Sequence, residues 1–239
     1  MNEHILPEKY HIFSGSVLKV IAVTTMLIDH IGHMMGPDSI LLFTLFGRQV
    51  TLYTLMRFIG RLAFPIFSFL LVEGYLHTRS AIRYGAALLI FAVLSEIPHD
   101  LFRSGVWFSL SHQNVFFTLL LGYLGISAYE RLKNRWFLRV GAILILVVAS
   151  YFLRADYGLS GFCFIMLLYA LRDRELLRDV AGIMILGSKW KAALAFIPIA
   201  FYNGKRGFIK GPVLKYAFYL FYPLHLLILY FIKLRYFGS

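Results

Sequence analysis

Charge is scarce in this 239-residue chain. Asp, Glu, Lys and Arg together make up 15% of it, against about 25% in soluble domains. That shortage excludes a disordered protein, a soluble nucleic-acid binder and almost any water-soluble single domain. Cysteine is nearly absent: Cys163 stands alone, so there is no intrachain disulfide and no metal site built on cysteines. Nothing resembles a P-loop or a dinucleotide-binding fingerprint. There is no G-x-S-x-G elbow of the kind a serine hydrolase carries. The first sixteen residues lack the basic-then-apolar pattern of a cleavable signal, so the apolar run from Val17 reads as a retained span.

What is present is apolar. Hydrophobic residues make up 59% of the chain, aromatic residues 17%, and the mean hydropathy is +0.72. Such a surplus must face lipid, in spans of roughly 20 residues, or fewer where a helix is half-buried in a bundle. The pattern predicts an all-α polytopic membrane protein with about nine spans, at 17–36, 54–76, 81–101, 114–130, 137–153, 157–171, 177–188, 192–203 and 214–233. The stretch 177–203 reads as two short helices or one broken one. The segment 37–53, broken by Arg48, Gln49 and Thr51, reads as an interfacial or re-entrant piece. No repeat or low-complexity linker interrupts the chain, which implies one domain over 1–239.

Basic residues set the direction. The net charge is +12, and the cations sit in short clusters between apolar runs, as the positive-inside bias requires. With nine spans and the N-terminus inside, fifteen Lys and Arg fall on the inner side and seven on the outer. Merging the helices of 177–203 would move the Lys205–Lys215 cluster outside, so nine spans fit better.

Ionisable groups inside spans cost several kcal/mol unless paired or hydrated, on the order of 3 kcal/mol for one at a helix centre. They are therefore the informative residues. Span 1, LKVIAVTTMLIDHIGHMMG, carries Asp29, His30 and His33. His30 lies roughly 20 Å from the inner end at about 1.5 Å per residue, so it belongs to the outer half. Asp29 and His33 are four apart and share a face, so the carboxylate can pair with an imidazole. Arg57 and Arg61 share a face of span 2, and Pro65 would bend that helix. Glu96, His99 and Asp100 end span 3 on the outer side, and His112 and Asn114 open span 4 there. Tyr222 and His225 lie near the middle of span 9. Each alone could be a polar residue satisfying a neighbour. Together they imply a solvated cavity opening outward. An inner cluster holds Glu73, His77, Arg79, Arg83 and the turn YNGKRG, whose Lys205 and Arg206 are suited to phosphate.

A histidine near a carboxylate suits general base catalysis near neutral pH, and arginines suit an anionic donor or acceptor. The spacing D-H-x-x-H lacks the H-x-x-x-H geometry of a helical zinc site, and no metal is expected. Physical reading alone leaves an acyl-transfer enzyme and a proton-coupled transporter both open.

Six segments resemble the TraX family: LKVIAVTTMLIDHIG, RFIGRLAFPIFSFLLVEGYLHT, SEIPHDL, QNVFFTLLLGYLGI, NGKRG and KYAFYLFYPLHLLIL. The stretch 137–200 carries less of the likeness. That family is named for a conjugation protein that acetylates the pilin N-terminus, and it is similar to the wider group of membrane acyltransferases. The resemblance implies a bacterial cytoplasmic-membrane acetyltransferase, multi-pass, using cytoplasmic acetyl-CoA and an extracytoplasmic amine or hydroxyl acceptor. Such an acceptor would be a pilin or an envelope polymer, with the bilayer as the other partner and nucleic acid as none. His30 would be the base or acetyl carrier, with Asp29 beside it. Arg57 and Arg61 would orient the donor or the developing anion, and Lys205 and Arg206 would meet the CoA phosphates. His33, Glu96, His99, Asp100, His112, Asn114, Tyr222 and His225 would line the acceptor cavity. A transporter of a small solute is the rival reading, and an assembly partner without catalysis is a third.

Overall fold

The computed structural model describes residues 7–45 and 47–236. It is all-α apart from one hairpin. In chain order the helices are α1 (Gly15–Met35), α2 (Leu52–Gly60), α3 (Ala63–Leu76), α4 (Ala81–Leu94), α5 (Glu96–Ser104) and α6 (Val115–Arg131). They continue with α7 (Trp136–Phe152), α8 (Gly158–Ala170), α9 (Glu175–Leu186), α10 (Phe196–Ala200) and α11 (Gly211–Tyr236). Four stretches are long and apolar enough to cross a membrane: Gly15–Met35, Leu52–Leu76, Ala81–Ser104 and Val213–Tyr236. Trp136–Phe152, Gly158–Ala170 and Lys191–Ala200 are shorter apolar helices.

Proline explains where the long spans break. Pro65, Pro98 and Pro198 each occupy the third position of their helix, α3, α5 and α10. In a first turn the missing N–H removes no helical bond, whereas a preceding turn of helix would clash with the ring. The span expected at 54–76 therefore breaks at Arg61–Leu62, and the one expected at 81–101 breaks at Ser95. The stretch expected as a helix over 192–203 is instead a 3₁₀ segment, Gly187–Ala195, followed by the five residues of α10. Pro223 alone lies inside a helix without ending it. It leaves the Tyr219 carbonyl without its usual donor.

Within the segment 37–53, expected as an interfacial or re-entrant piece, residues 41–45 and 48–51 form an antiparallel hairpin. Strands β1 (Leu41–Leu45) and β2 (Arg48–Thr51) pair Thr44 with Gln49 and Phe43 with Val50, with a bulge between Leu41 and Phe43. Gly47 turns the chain at φ +74°, a region that glycine enters without steric cost. Aromatic and β-branched residues on either side of such a turn favour strands. The hairpin passes the chain to α2: Tyr53 N donates to Ser39 Oγ at 2.8 Å, and Thr51 caps the helix through Thr54 N.

The described residues pack as two compact units. Residues 68–186 form one, whose core includes Leu88, Tyr123, Ile126, Phe162, Ile165 and Leu168, each at most 2% exposed. Here α6 and α8 approach closely because Gly122 and Gly125 face Ile165 and Phe162, where a Cβ has no room. Residues 7–67 and 187–236 form the other, with Leu18, Ala22, Ile209, Tyr222 and Leu226 in its core. Many large apolar side chains stay outside both cores, among them Phe137, Ile145 and Phe152 along α7 at about seven-tenths exposure (72%, 69% and 75%). A lipid-facing surface accounts for them.

Candidate functional site

The second unit is clasped at the start of α1 by SGS and NGKRG. Phe13 N donates to Phe201 O at 2.9 Å, Gly15 N to Lys205 O at 2.8 Å and Ser16 N to Arg206 O at 2.9 Å. The buried Ser16 hydroxyl donates to Arg206 O and accepts from Ile209 N, both at 2.8 Å. Gly207, at φ +84°, sits so close to Ser14 and Ser16 that a Cβ would overlap both hydroxyls. This clasp fixes the start of α1 against the loop leading into α11. Lys205 and Arg206 are exposed.

Further along the same two helices lies a pair of imidazoles. His30 Nδ1 and His225 Nε2 are 2.7 Å apart. His225 Nδ1 lies 2.8 Å from the Phe221 carbonyl. A carbonyl only accepts, so His225 carries its proton on Nδ1, and its Nε2 accepts from His30 Nδ1–H when both rings are neutral. His30 Nε2 is then the basic nitrogen. A proton taken there would leave an imidazolium whose Nδ1–H is held by His225, which is held by a backbone carbonyl. Tyr222, 3% exposed, stands edge-to-face with both imidazoles, with centroids 6.2 and 5.7 Å away.

Asp29 reaches across to a second helix. Its Oδ2 pairs with Arg57 Nη1 on α2. Gly60, one turn beyond Arg57, makes this possible: a Cβ there would overlap the Asp29 carboxyl. Gly32 likewise brings Met56 close. The IDH segment of α1 and the RFIG segment of α2 thus form one close crossing. Arg61 caps the end of α2 in helical conformation. Among the described residues it makes no ion pair or side-chain hydrogen bond, so it keeps its donors. His33 is exposed in the last turn of α1.

The remaining expected residues fall in the first unit. Asn114 is fully buried and caps α6, accepting from Phe116 N at 2.9 Å. Its amide donates to Ala92 O at 2.7 Å and to Glu96 Oε1, and its backbone N–H donates to the same Glu96 oxygen at 3.0 Å. Both amide hydrogens are thereby taken up inside the unit. His99 Nδ1 stands 3.4 Å from Asp100 Oδ1, both buried. Asp100 Oδ2 accepts from Ser109 N at 2.7 Å. Arg103 pairs with Asp156 at 3.5 Å. His112 is exposed. Among the described residues no cluster of three or more His, Cys, Asp or Glu could hold a metal ion.

The resemblance implies only an acceptor-cavity role for His225, whereas the structure places it in hydrogen-bond contact with His30. A detectable signal was the offset: Lys19 to His30 is eleven residues and Lys215 to His225 is ten, so two cation–histidine pairs recur on helices that prove adjacent.

Fold and site together define an all-α helical membrane protein with a paired-imidazole centre set among apolar helices. A family model described as TraX protein matches residues 14–233, and the chain belongs to the TraX family. It is 31% identical over 245 residues to the probable fimbrial assembly protein FimC, serogroup H1, of Dichelobacter nodosus. The match covers 91% of this chain and 94% of that protein. No solved structure matches.

Proposed function

We propose that this protein is a multi-pass acetyltransferase of the bacterial cytoplasmic membrane. It moves an acetyl group from cytoplasmic acetyl-CoA to an amine or hydroxyl on an extracytoplasmic acceptor, a pilin subunit or an envelope polymer. The observation that carries the proposal is the His30–His225 relay inside an apolar helix pair. TraX membership and a relative named for fimbrial assembly agree with a pilin-related role.

In the reaction, His30 Nε2 removes the proton of the acceptor N–H or O–H as that atom attacks the acetyl carbonyl. The new N–C or O–C bond forms, the C–S bond breaks, and the departing thiolate recovers the proton from His30. His225 holds the imidazolium during this exchange. Arg61 supplies positive charge to the developing oxyanion, because Arg57 is engaged by Asp29. Only the acetyl group has to cross, and the charged cofactor stays inside.

Purified protein given acetyl-CoA should release CoA slowly without acceptor and show acetyl-CoA-dependent thermal stabilisation. Solute counterflow with no response to acetyl-CoA would instead establish a transporter. Mass spectrometry of the cell envelope with and without the gene identifies the acceptor as an acetyl-bearing species that disappears.

The topology is checked separately. Reporter fusions after residues 134 and 208 should read as cytoplasmic. An extracytoplasmic signal at either would place His30 on the wrong side for this reaction.

A further inference from the structure

We infer that Arg139 and Arg172, each seated on a tyrosine ring, bind the phosphate of an anionic phospholipid. The site is built wholly from residues of the first unit, and it does not depend on the acetyl-transfer reading.

Helices α6, α7 and α8 pack against one another in pairs. Tyr129 in the last turn of α6 meets Tyr169 in the last turn of α8 edge to face, with ring centroids 6.2 Å apart. Each ring carries a guanidinium. Arg139 of α7 lies 4.3 Å from the Tyr129 centroid, and Arg172, just beyond α8, lies 4.5 Å from that of Tyr169. Direct contact with one aromatic pair thus gathers two cations against their mutual repulsion. A guanidinium stacked by its face keeps its N–H edges for planar recognition of phosphate.

The donors of these two groups are only partly used. The Nε of Arg139 is buried and has no hydrogen-bond partner among the described residues. Such a donor costs free energy until an acceptor reaches it. Arg172 donates through Nη1 to Tyr169 O at 2.8 Å and faces Asp173 through Nε at 3.7 Å. Glu130, next to Tyr129 in the chain, is taken by the Tyr169 hydroxyl. Positive-inside bias accounts for exposed cations in the α6–α7 loop such as Lys133 and Arg135. It requires neither stacking on a ring nor a buried Nε one turn into a helix.

The surroundings select a lipid over a soluble phosphate. Only residues 132–135 join α6 to α7, so the two helices run antiparallel. Leu124 lies five residues before Tyr129, and Leu144 lies five after Arg139. Both therefore sit about 7 Å further along the pair, at matching depth, and both are exposed. Trp136, the first residue of α7, is exposed as well, where interfacial tryptophans stand. A phosphate at the arginines thus has apolar side chains of two helices along which its acyl chains can lie. A zwitterionic headgroup brings its own cation, whereas that of phosphatidylglycerol does not, so the anionic lipid complements the paired arginines better.

The test titrates phosphatidylglycerol into the full-length protein in a neutral maltoside detergent and follows retained lipid by native mass spectrometry. Phosphatidylcholine and soluble glycerol phosphate are the comparison ligands. The wild type should retain phosphatidylglycerol well above phosphatidylcholine, and glycerol phosphate at equal concentration should not displace it. Arg139→Gln and Arg172→Gln should each weaken phosphatidylglycerol about tenfold, the size of one charged hydrogen bond. Tyr129→Leu should weaken it about threefold although it changes no charge. Lys133→Gln removes an exposed cation nearby and should stay within about twofold of wild type. Should an arginine variant not fold, Tyr129→Leu and Lys133→Gln still decide. Equal losses in Lys133→Gln and Arg139→Gln would assign the affinity to diffuse charge and overturn the site. A Tyr129→Leu protein that binds like wild type overturns it too, as does a wild type that does not distinguish the two lipids. Displacement by glycerol phosphate would make the ligand a soluble phosphate and overturn the lipid assignment.

Discussion

His30→Gln should abolish measurable acetyl transfer while leaving expression and acetyl-CoA binding largely intact, and His225→Phe should do nearly the same. General-base removal costs about 10²–10⁴-fold, and loss of a covalent acetyl carrier would cost more. Phe keeps an aromatic ring against Tyr222 and Phe221 but removes the Nε2 that accepts from His30. His30 Nδ1–H then loses the acceptor that fixes its tautomer, and the basic nitrogen no longer stays at Nε2. Because the two rings act as one relay, their losses should not add. The double variant should be about as inactive as either single one, as expected of residues that work as a unit. The assay is acetyl-CoA turnover alongside ligand-dependent thermal stabilisation, which separates chemistry from binding. If His30→Gln keeps near wild-type turnover, the active site is not on α1. His33, His99 and His112 become the alternatives, and of these only His99 is buried beside a carboxylate.

How much of this was legible depends on the kind of signal. Apolar runs are strong and local, so every expected span from 17 to 188 and the one at 214–233 has a helix beneath it. Proline effects were visible only in part. Pro65 promised a bend, but placement at the third residue of a new helix is set by steric clash with the turn before it. The hairpin at 41–51 was hidden because its alternation covers few residues and its turn rests on Gly47. The list of polar residues was readable and their pairing was not. The Asp29 carboxylate pairs with Arg57 on another helix, a partner that spacing along α1 does not reveal. That choice follows from Gly60, a residue without polar chemistry whose missing Cβ lets the two helices approach. His225 and Asn114 show the same limit: one holds His30 and the other ties Glu96 to α6, and both roles depend on distances between helices.

Arg57→Ala should therefore destabilise the protein more than any other single change at the site. Removing one partner of a buried ion pair typically costs about 3–5 kcal/mol, because the other charge is left uncompensated. Arg57 and Asp29 keep some exposure, 24% and 18%, so the lower end of that range applies. Asp29 also sits close against Gly60. Asp29→Asn combined with Arg57→Gln should recover much of the lost stability, since two neutral amides can bond each other without a stranded charge. Gly60→Val should resemble Arg57→Ala from the opposite side, by expelling the carboxylate from its place and spreading α1 from α2. Arg61→Ala breaks no pair, so it should leave stability near wild type and lower turnover instead. Thermal unfolding in detergent reads all four. If Arg57→Ala melts within a degree or two of wild type, or if the Asp29→Asn and Arg57→Gln effects simply add, the pair is not what holds α1 to α2. His30 would then owe its position to α11 alone.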